Sequence, residues 1–235
     1  VLEIGPGLGQ ITEALCKSGA QVVAVEIDFR FKDILTELQR SYANLSVVYG
    51  SVLDVDWPQA DKVVASPPFS VLEPLITKIA DEKNIQSAHL VIGRRHYERC
   101  SATTEMMTKM ALITRAFFSV TLVSELEKNA FYPRSREKAV IMALRRKNKR
   151  DGGFGMRMLA SRIIRTPNLP AISFVQNLIA ESIDLRRHDY RTIPTTRSIG
   201  MPKSLGRKKL VELDNQDISS IIKLIESLRC MRRNM

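Results

Sequence analysis

The sequence predicts an α/β fold: a mostly parallel sheet covered by helices, with an antiparallel last strand, followed by a small helical part. Three observations predict it. Strand-like and helix-like segments alternate five times along the front of the chain. Two later strand-like segments then follow each other with no long helix between them. After Leu144 the apolar spacing becomes helical and the charge becomes strongly positive. Alternation places crossover helices between parallel strands, which are then covered on both faces. Two strands without a crossover pair antiparallel.

The elements follow in order. Val1–Ile4 is a short apolar strand ending in a glycine loop, and residues 9–18 form a helix carrying Ile11 and Leu15. Gln21–Ile27 is rich in Val, a residue suited to strands. Phe29–Tyr42 has apolar residues at 31, 34, 35 and 38, which is helical spacing. Leu45–Tyr49 and Lys62–Ala65 are strands, the second running into SPPF. Val71–Ala80 places Leu72, Leu75, Ile76 and Ile79 on one helical face. Ala88–Ile92 is a strand, 104–115 a helix, and Phe117–Val123 and Ala139–Leu144 the late pair. Beyond the charged, glycine-ended stretch Arg145–Gly153, helices are predicted near 154–165, 171–184 and 215–230. Two domains are expected, at 1–146 and 152–235. The chain starts at Val1, inside a strand, so an N-terminal segment is expected to precede it.

Charge divides the chain in the same place. Lys and Arg total 36 against 25 Asp and Glu, a net charge of +11. Residues 1–144 hold 16 basic and 17 acidic residues, whereas 145–235 hold 20 and 8. The whole excess lies in the second part, which points to an anionic partner. Arg145, Arg146, Lys147, Lys149 and Arg150 form one basic run, and Arg186, Arg187 and Arg191 form another. Such residues bind phosphates without reading sequence. No apolar run approaches the roughly 20 residues of a membrane helix. No long Lys/Arg helix with a bulky apolar face stands out either, so nucleic acid is favoured over a membrane surface. Cys16, Cys100 and Cys230 are odd in number and far apart, as free thiols of a reducing, cytoplasmic setting are. His89, His96 and His188 are too scattered for a metal cluster, and no metal is expected.

Two motifs carry chemistry. In Leu2-Glu3-Ile4-Gly5-Pro6-Gly7-Leu8-Gly9 the glycines let the backbone turn tightly and approach a ligand. Glu26 closes the second strand about 20 residues on, where a carboxylate can take both ribose hydroxyls. The dinucleotide version needs a third glycine where Gln10 stands. The acid-x-Gly-x-Gly pattern, with Glu3 before Gly5 and Gly7, favours S-adenosylmethionine over a nicotinamide cofactor. The second motif, Ser66-Pro67-Pro68-Phe69, ends the fourth strand and so faces the same crevice. A base amine has its lone pair delocalised into the ring. Two acceptors, the Ser66 hydroxyl and the Pro67 carbonyl, can hold its hydrogens while the nitrogen becomes tetrahedral. Phe69 can stack on the base.

VLEIGPGLGQITEAL, VVAVEID, GSVLDVD, VVASPPF and NAFYPRSREKAVIMAL, in this order and spacing, resemble the ribosomal RNA adenine dimethyltransferases. The resemblance spans about residues 1–146 and is looser over the tail. It implies a Rossmann-like S-adenosylmethionine methyltransferase domain, with a mostly parallel sheet and an antiparallel last strand, plus a small helical C-terminal domain. It also implies dimethylation of adenosines near the 3′ end of small-subunit rRNA, on a pre-30S-type particle, by a monomer. Gly5 and Gly7 would lie against the methionine part of the donor and Glu26 at its ribose. Ser51 would meet the adenine amine and the Val52 N–H a ring nitrogen. Ser66 would sit by the transfer point, and Phe131 would face the target adenine opposite Phe69.

The chain departs from the family at three places. The usual Asn-Leu/Ile-Pro-Tyr is Ser66-Pro67-Pro68-Phe69, which falls within the wider Asn/Asp/Ser-Pro-Pro-aromatic motif of amino-methyltransferases. The usual Gly-Asp-Ala-Leu is Gly50-Ser51-Val52-Leu53. Loss of that carboxylate removes a charge-assisted hydrogen bond worth about 1.5–3 kcal/mol. The Phe-x-Pro-Pro-Pro loop is Phe131-Tyr132-Pro133-Arg134-Ser135. The rival functions are a weakly active or inactive member acting as an RNA-binding ribosome-assembly factor, and a transcription-associated nucleic-acid binder.

Overall fold

The computed structural model describes residues 1–101, 107–131, 137–148, 153–182 and 203–233. The chain packs into two compact units: Val1–Glu98 with Phe118–Arg146, and Arg99–Phe117 with Lys147–Met235.

The first unit is built on a seven-stranded sheet of order β3-β2-β1-β4-β5-β7-β6. Its strands are β1 (Leu2–Ile4), β2 (Val22–Glu26), β3 (Leu45–Tyr49), β4 (Lys62–Ala65), β5 (Ser87–Gly93), β6 (Phe118–Leu126) and β7 (Ala139–Arg146). The first five pair in parallel and β7 pairs antiparallel with both β5 and β6, as the sequence predicts. Helices α1 (Gln10–Lys17), α2 (Lys32–Ser41) and α3 (Phe69–Asp81) lie in the crossovers. One face of the sheet's centre is apolar, with Leu2, Ile4, Val63, Ala65, Ala88 and Leu90 buried, and Ala24 is buried beside Glu3 on the opposite face. Leu72, Leu75, Ile76 and Ile79 of α3 are buried along the stripe that their spacing predicts.

One helix was not legible in advance. Arg94–Ser101 forms α4, although its sequence RRHYERCS is almost wholly polar and only Cys100 is buried. The next helix, α5 (Lys109–Phe117), has Met110, Ala111, Leu112, Ile113 and Ala116 buried. It belongs to the second unit, where the sequence places it in the first. An apolar helix announces that it will be buried, but its periodicity does not say against what.

The second unit adds α6 (Phe154–Arg165), α7 (Ala171–Ser182) and α8 (Asn215–Arg233). Helix α6 packs on α5 and α8, and α7 on α8. Two cations close the carboxyl end of α5: Lys147 Nζ donates to the Arg115 carbonyl at 2.8 Å, and Arg157 Nε to the Ala116 carbonyl at 2.9 Å. Asp217 is buried and accepts from Lys208 Nζ at 2.5 Å. The same ammonium reaches Asp214 and holds its carboxyl down at about 2. Among the described residues no helix is long and apolar enough to cross a membrane.

Candidate active site

Register places the candidate residues side by side. Ile4 of β1 pairs with Val25 of β2 and with Ala65 of β4. The residues that follow, Gly5, Glu26 and Ser66, therefore emerge together from the carboxyl ends of three adjacent strands. The chain turns from β1 to β2 on one side and reaches β4 on the other, so this is the switch point where ligands enter open α/β sheets.

Gly5, Gly7 and Gly9 have φ of 69°, 56° and 81°, a region that favours glycine. A side chain at Gly9 would collide with Leu38 of α2, whereas one at Gly5 or Gly7 would meet nothing within 4 Å. Gly9 thus serves packing, and Gly5 and Gly7 face open space. Glu26 is 4% exposed. Its Oε2 accepts the Gly7 N–H at 3.0 Å and its Oε1 the Asp28 N–H at 2.8 Å. The carboxylate thereby holds the glycine loop. Ile27 beside it is 67% exposed, an apolar surface at the crevice that the sequence hides as the last residue of a strand. Gly50 donates to the Glu26 carbonyl at 2.8 Å, which brings Ser51 and Val52 next to Glu26. Ser51 Oγ accepts from the Leu53 N–H at 3.2 Å, and the buried Val52 holds Trp57 Nε1 through its carbonyl at 2.8 Å.

Glu3 is 2% exposed, and its Oε2 has no hydrogen-bond partner among the described residues. Burial pushes its carboxyl up to about 7. The nearby Thr12 hydroxyl opposes the rise and the Glu26 charge adds to it. An orphaned buried oxygen beside an open glycine loop has the character of a site that receives a cation.

On the other side of β1, Ser66, Pro67 and Phe69 line an open cleft of about 160 Å³ together with Phe131. Its far wall is Val91–Gly93 at the end of β5 and Glu137–Ala139 at the start of β7. All four residues proposed from the sequence for the transfer step thus meet in one cleft. Phe69 begins α3, is 53% exposed, and stacks on His96 of α4 with centroids 4.7 Å apart and planes 8° from parallel. Gly93 makes room for it: a Cβ there would lie 3.0 Å from Phe69 Cε1 and 3.2 Å from Glu137 Oε2. Gly93, His96, Glu137 and Lys138 were missed in the sequence. The only signal was their place, just past one strand and just before another.

The basic residues divide. Arg145 is exposed on β7. Arg146 is turned inward: its guanidinium donates to the carbonyls of Ile79, Ala80, Glu82 and Ile85 at 2.6–3.2 Å and lies over the Phe118 ring. Lys147 is committed to the Arg115 carbonyl. Arg146 thus makes four hydrogen bonds to backbone oxygens, whereas Lys147 spends one of its three ammonium N–H groups on the Arg115 carbonyl. Lys149, Arg150, Arg186, Arg187 and Arg191 lie outside the described residues.

Residues 1–153, well over half of the chain, match the family described as ribosomal RNA adenine dimethylase. The chain belongs to that family. Within it, a Thermococcus kodakarensis protein named "Probable ribosomal RNA small subunit methyltransferase A" is 32% identical over 146 residues, 61% of this chain and 52% of that one. A Pyrococcus furiosus protein of the same name is 24% identical over 230 residues, 94% of this chain and 80% of its own. The chain thus spans about half the length of the first of these relatives. Among solved structures, a dimethyladenosine transferase from Plasmodium falciparum superposes with a TM-score of 0.62 at 21% identity, covering 97% of this chain and 90% of that chain. That likeness is one of fold. Methyltransferases of this fold use S-adenosylmethionine, and the open loop at Gly5 and Gly7 with the orphaned Glu3 oxygen fits the donor's cationic methionine end.

Proposed function

We propose that this chain transfers methyl groups from S-adenosylmethionine to the N6 amines of adenosines in small-subunit ribosomal RNA, near its 3′ end. The observation that carries the proposal is the meeting of Ser66, Pro67, Phe69 and Phe131 in one cleft, one strand from the glycine loop.

The donor supplies an electrophilic methyl on a sulfonium. The protein's own residues do the rest. Gly5 and Gly7 let the backbone approach the methionine part, Glu3 faces its ammonium, and Glu26 takes the ribose hydroxyls. Glu26 keeps lone pairs for them while holding Gly7 and Asp28. Ser51 and Val52 meet the donor's adenine, with Ile27 as an apolar face. In the cleft, Phe69 and Phe131 hold the target adenine. Ser66 Oγ and the Pro67 carbonyl accept the two N6 hydrogens, which draws the nitrogen lone pair out of the ring and aims it at the methyl. The new C–N bond forms as the C–S bond breaks, and N6 then loses a proton to solvent. Such catalysis is mainly positioning.

The test is transfer of radiolabelled methyl groups onto unmethylated small ribosomal subunits. Incorporation at adenines, lost in Ser66→Ala, is expected. Subunit binding without incorporation would support the assembly-factor function instead. Equal donor binding by wild type and Glu26→Ala in calorimetry would overturn the ribose role.

A further inference from the structure

We propose that Lys138 binds a backbone phosphate of the nucleotide whose base enters the Ser66 cleft, so that the site selects adenosines within an RNA chain over free nucleosides. This rests on the adenine-methylating function proposed above.

Lys138 lines the cleft with Ser66, Phe69 and Phe131, and it is exposed. Its backbone is fixed. Ala139 pairs with Gly93, and the Lys138 carbonyl accepts the Arg94 N–H at 2.9 Å, continuing the β5–β7 ladder by one step. The Lys138 backbone is thus held at the cleft's far wall.

The neighbouring charges are spoken for. Arg94 pairs with Glu98 at 3.0 Å and also with Glu125. Arg95 Nη1 stands 4.0 Å from Glu137 Oε1. No ion pair to Lys138 occurs among the described residues, so its charge is available to a ligand. Glu137 sharpens the selection. Its carboxylate reaches the wall at Gly93 and repels an anion there. A neutral base is accepted between the aromatic side chains, and the phosphate attached to it is left at the mouth, where Lys138 stands. An ammonium on a flexible stem suits such a point contact.

Three proteins test this: wild type, Lys138→Met, which keeps most of the apolar stem, and Lys138→Arg, which keeps the charge. Methyl transfer is measured against RNA concentration and salt, and binding of a short adenine-containing RNA oligomer is measured in parallel. Lys138→Met is expected to raise KM and the oligomer Kd about tenfold, the scale of one charge-assisted hydrogen bond partly screened by water. Its kcat at saturating RNA should change less than about twofold, and the slope of log K against log salt should shrink by about 0.7. Lys138→Arg should restore both. A Lys138→Met protein with wild-type oligomer affinity and salt slope would overturn the proposal. Failure of the wild type to transfer methyl groups would instead overturn the proposed function. The oligomer measurements would then still decide for or against Lys138.

Discussion

The Phe69 ring lies flat against the His96 imidazole, 4.7 Å between centroids, and lines the same cleft as Ser66 and Phe131. A phenyl ring at the first turn of a helix and half in solvent has rotamers to choose from. The imidazole removes that choice. In the proposed reaction His96 would therefore be a positioning residue, acting on the adenine only through Phe69. His96→Ala is expected to lower kcat for methyl transfer about three- to tenfold, the scale of one aromatic pair at 0.5–1.5 kcal/mol. His96→Phe should recover most of the loss, which a role in proton transfer would not allow. Steady-state kinetics on the two variants check it.

Gly93 bounds the same ring at its Cε1 and Cζ atoms. In Gly93→Ala the new Cβ would stand 3.0 Å from Phe69 Cε1, tighter than nearly all such contacts, so the ring would have to give by a few tenths of an ångström. Phe69 is half exposed and has somewhere to go, so the strain is relieved by moving the ring rather than by unfolding. The expected result is a loss of about tenfold in kcat/KM, about 1.4 kcal/mol of transition-state stabilisation. The melting temperature and donor affinity should stay near wild type. A thermal melt and donor calorimetry beside the kinetic assay separate the two effects.

These two residues show what the sequence could and could not say. The sheet was legible because its strands are short apolar runs separated by helices with a clear stripe, and the glycine loop and SPPF were legible because they interrupt that pattern at strand ends. Glu3, Glu26 and Ser66 could be named because each sits at a fixed offset from a strand end. Gly93 and Lys138 could not. Their neighbours come from β5 and β7, whose antiparallel pairing brings Gly93 and Ala139 together across a long sequence separation. Helix α4 was hidden because it buries almost nothing. The membership of α5 in the second unit was hidden because burial does not name a partner.

Glu3 predicts a pH dependence with a definite sign. Burial raises its folded carboxyl to about 7 from an ordinary 4.5. The folded state therefore holds a proton that the unfolded state releases. Below pH 4.5 both states are protonated and Glu3 costs nothing. Stability falls as pH rises from 4.5 to 7 and levels off above. The size is about 3 kcal/mol, from 1.36 kcal/mol per unit. Glu3→Gln, neutral at every pH, should lack this decline, and melts of both proteins across that window measure the difference. Donor binding should move oppositely: a cationic group at Oε2 favours the carboxylate, so wild-type affinity should rise with pH towards 7 more steeply than that of Glu3→Gln.

Arg146 tests whether a basic residue in a basic run faces RNA. Its guanidinium satisfies carbonyls of Ile79, Ala80 and Glu82 at the end of α3, and of Ile85 just before β5. Those carbonyls lack intrahelical partners or sit in a tight connection, and the guanidinium also complements the negative end of the helix. Arg146→Met keeps much of the stem over Phe118 and removes the donors. Hydrogen bonds to a charged group are each worth about 1.5–3 kcal/mol and do not add fully, and this side chain is only partly buried, so a total loss of about 2–4 kcal/mol is expected. Urea denaturation should show it as a lower midpoint at an unchanged slope. RNA binding should keep its salt dependence, because no phosphate contact has been removed. A drop in that salt slope with stability intact would return Arg146 to the RNA-facing set. The exposed Arg145 next to it is the internal control, since Arg145→Met should leave the denaturation midpoint almost where it was.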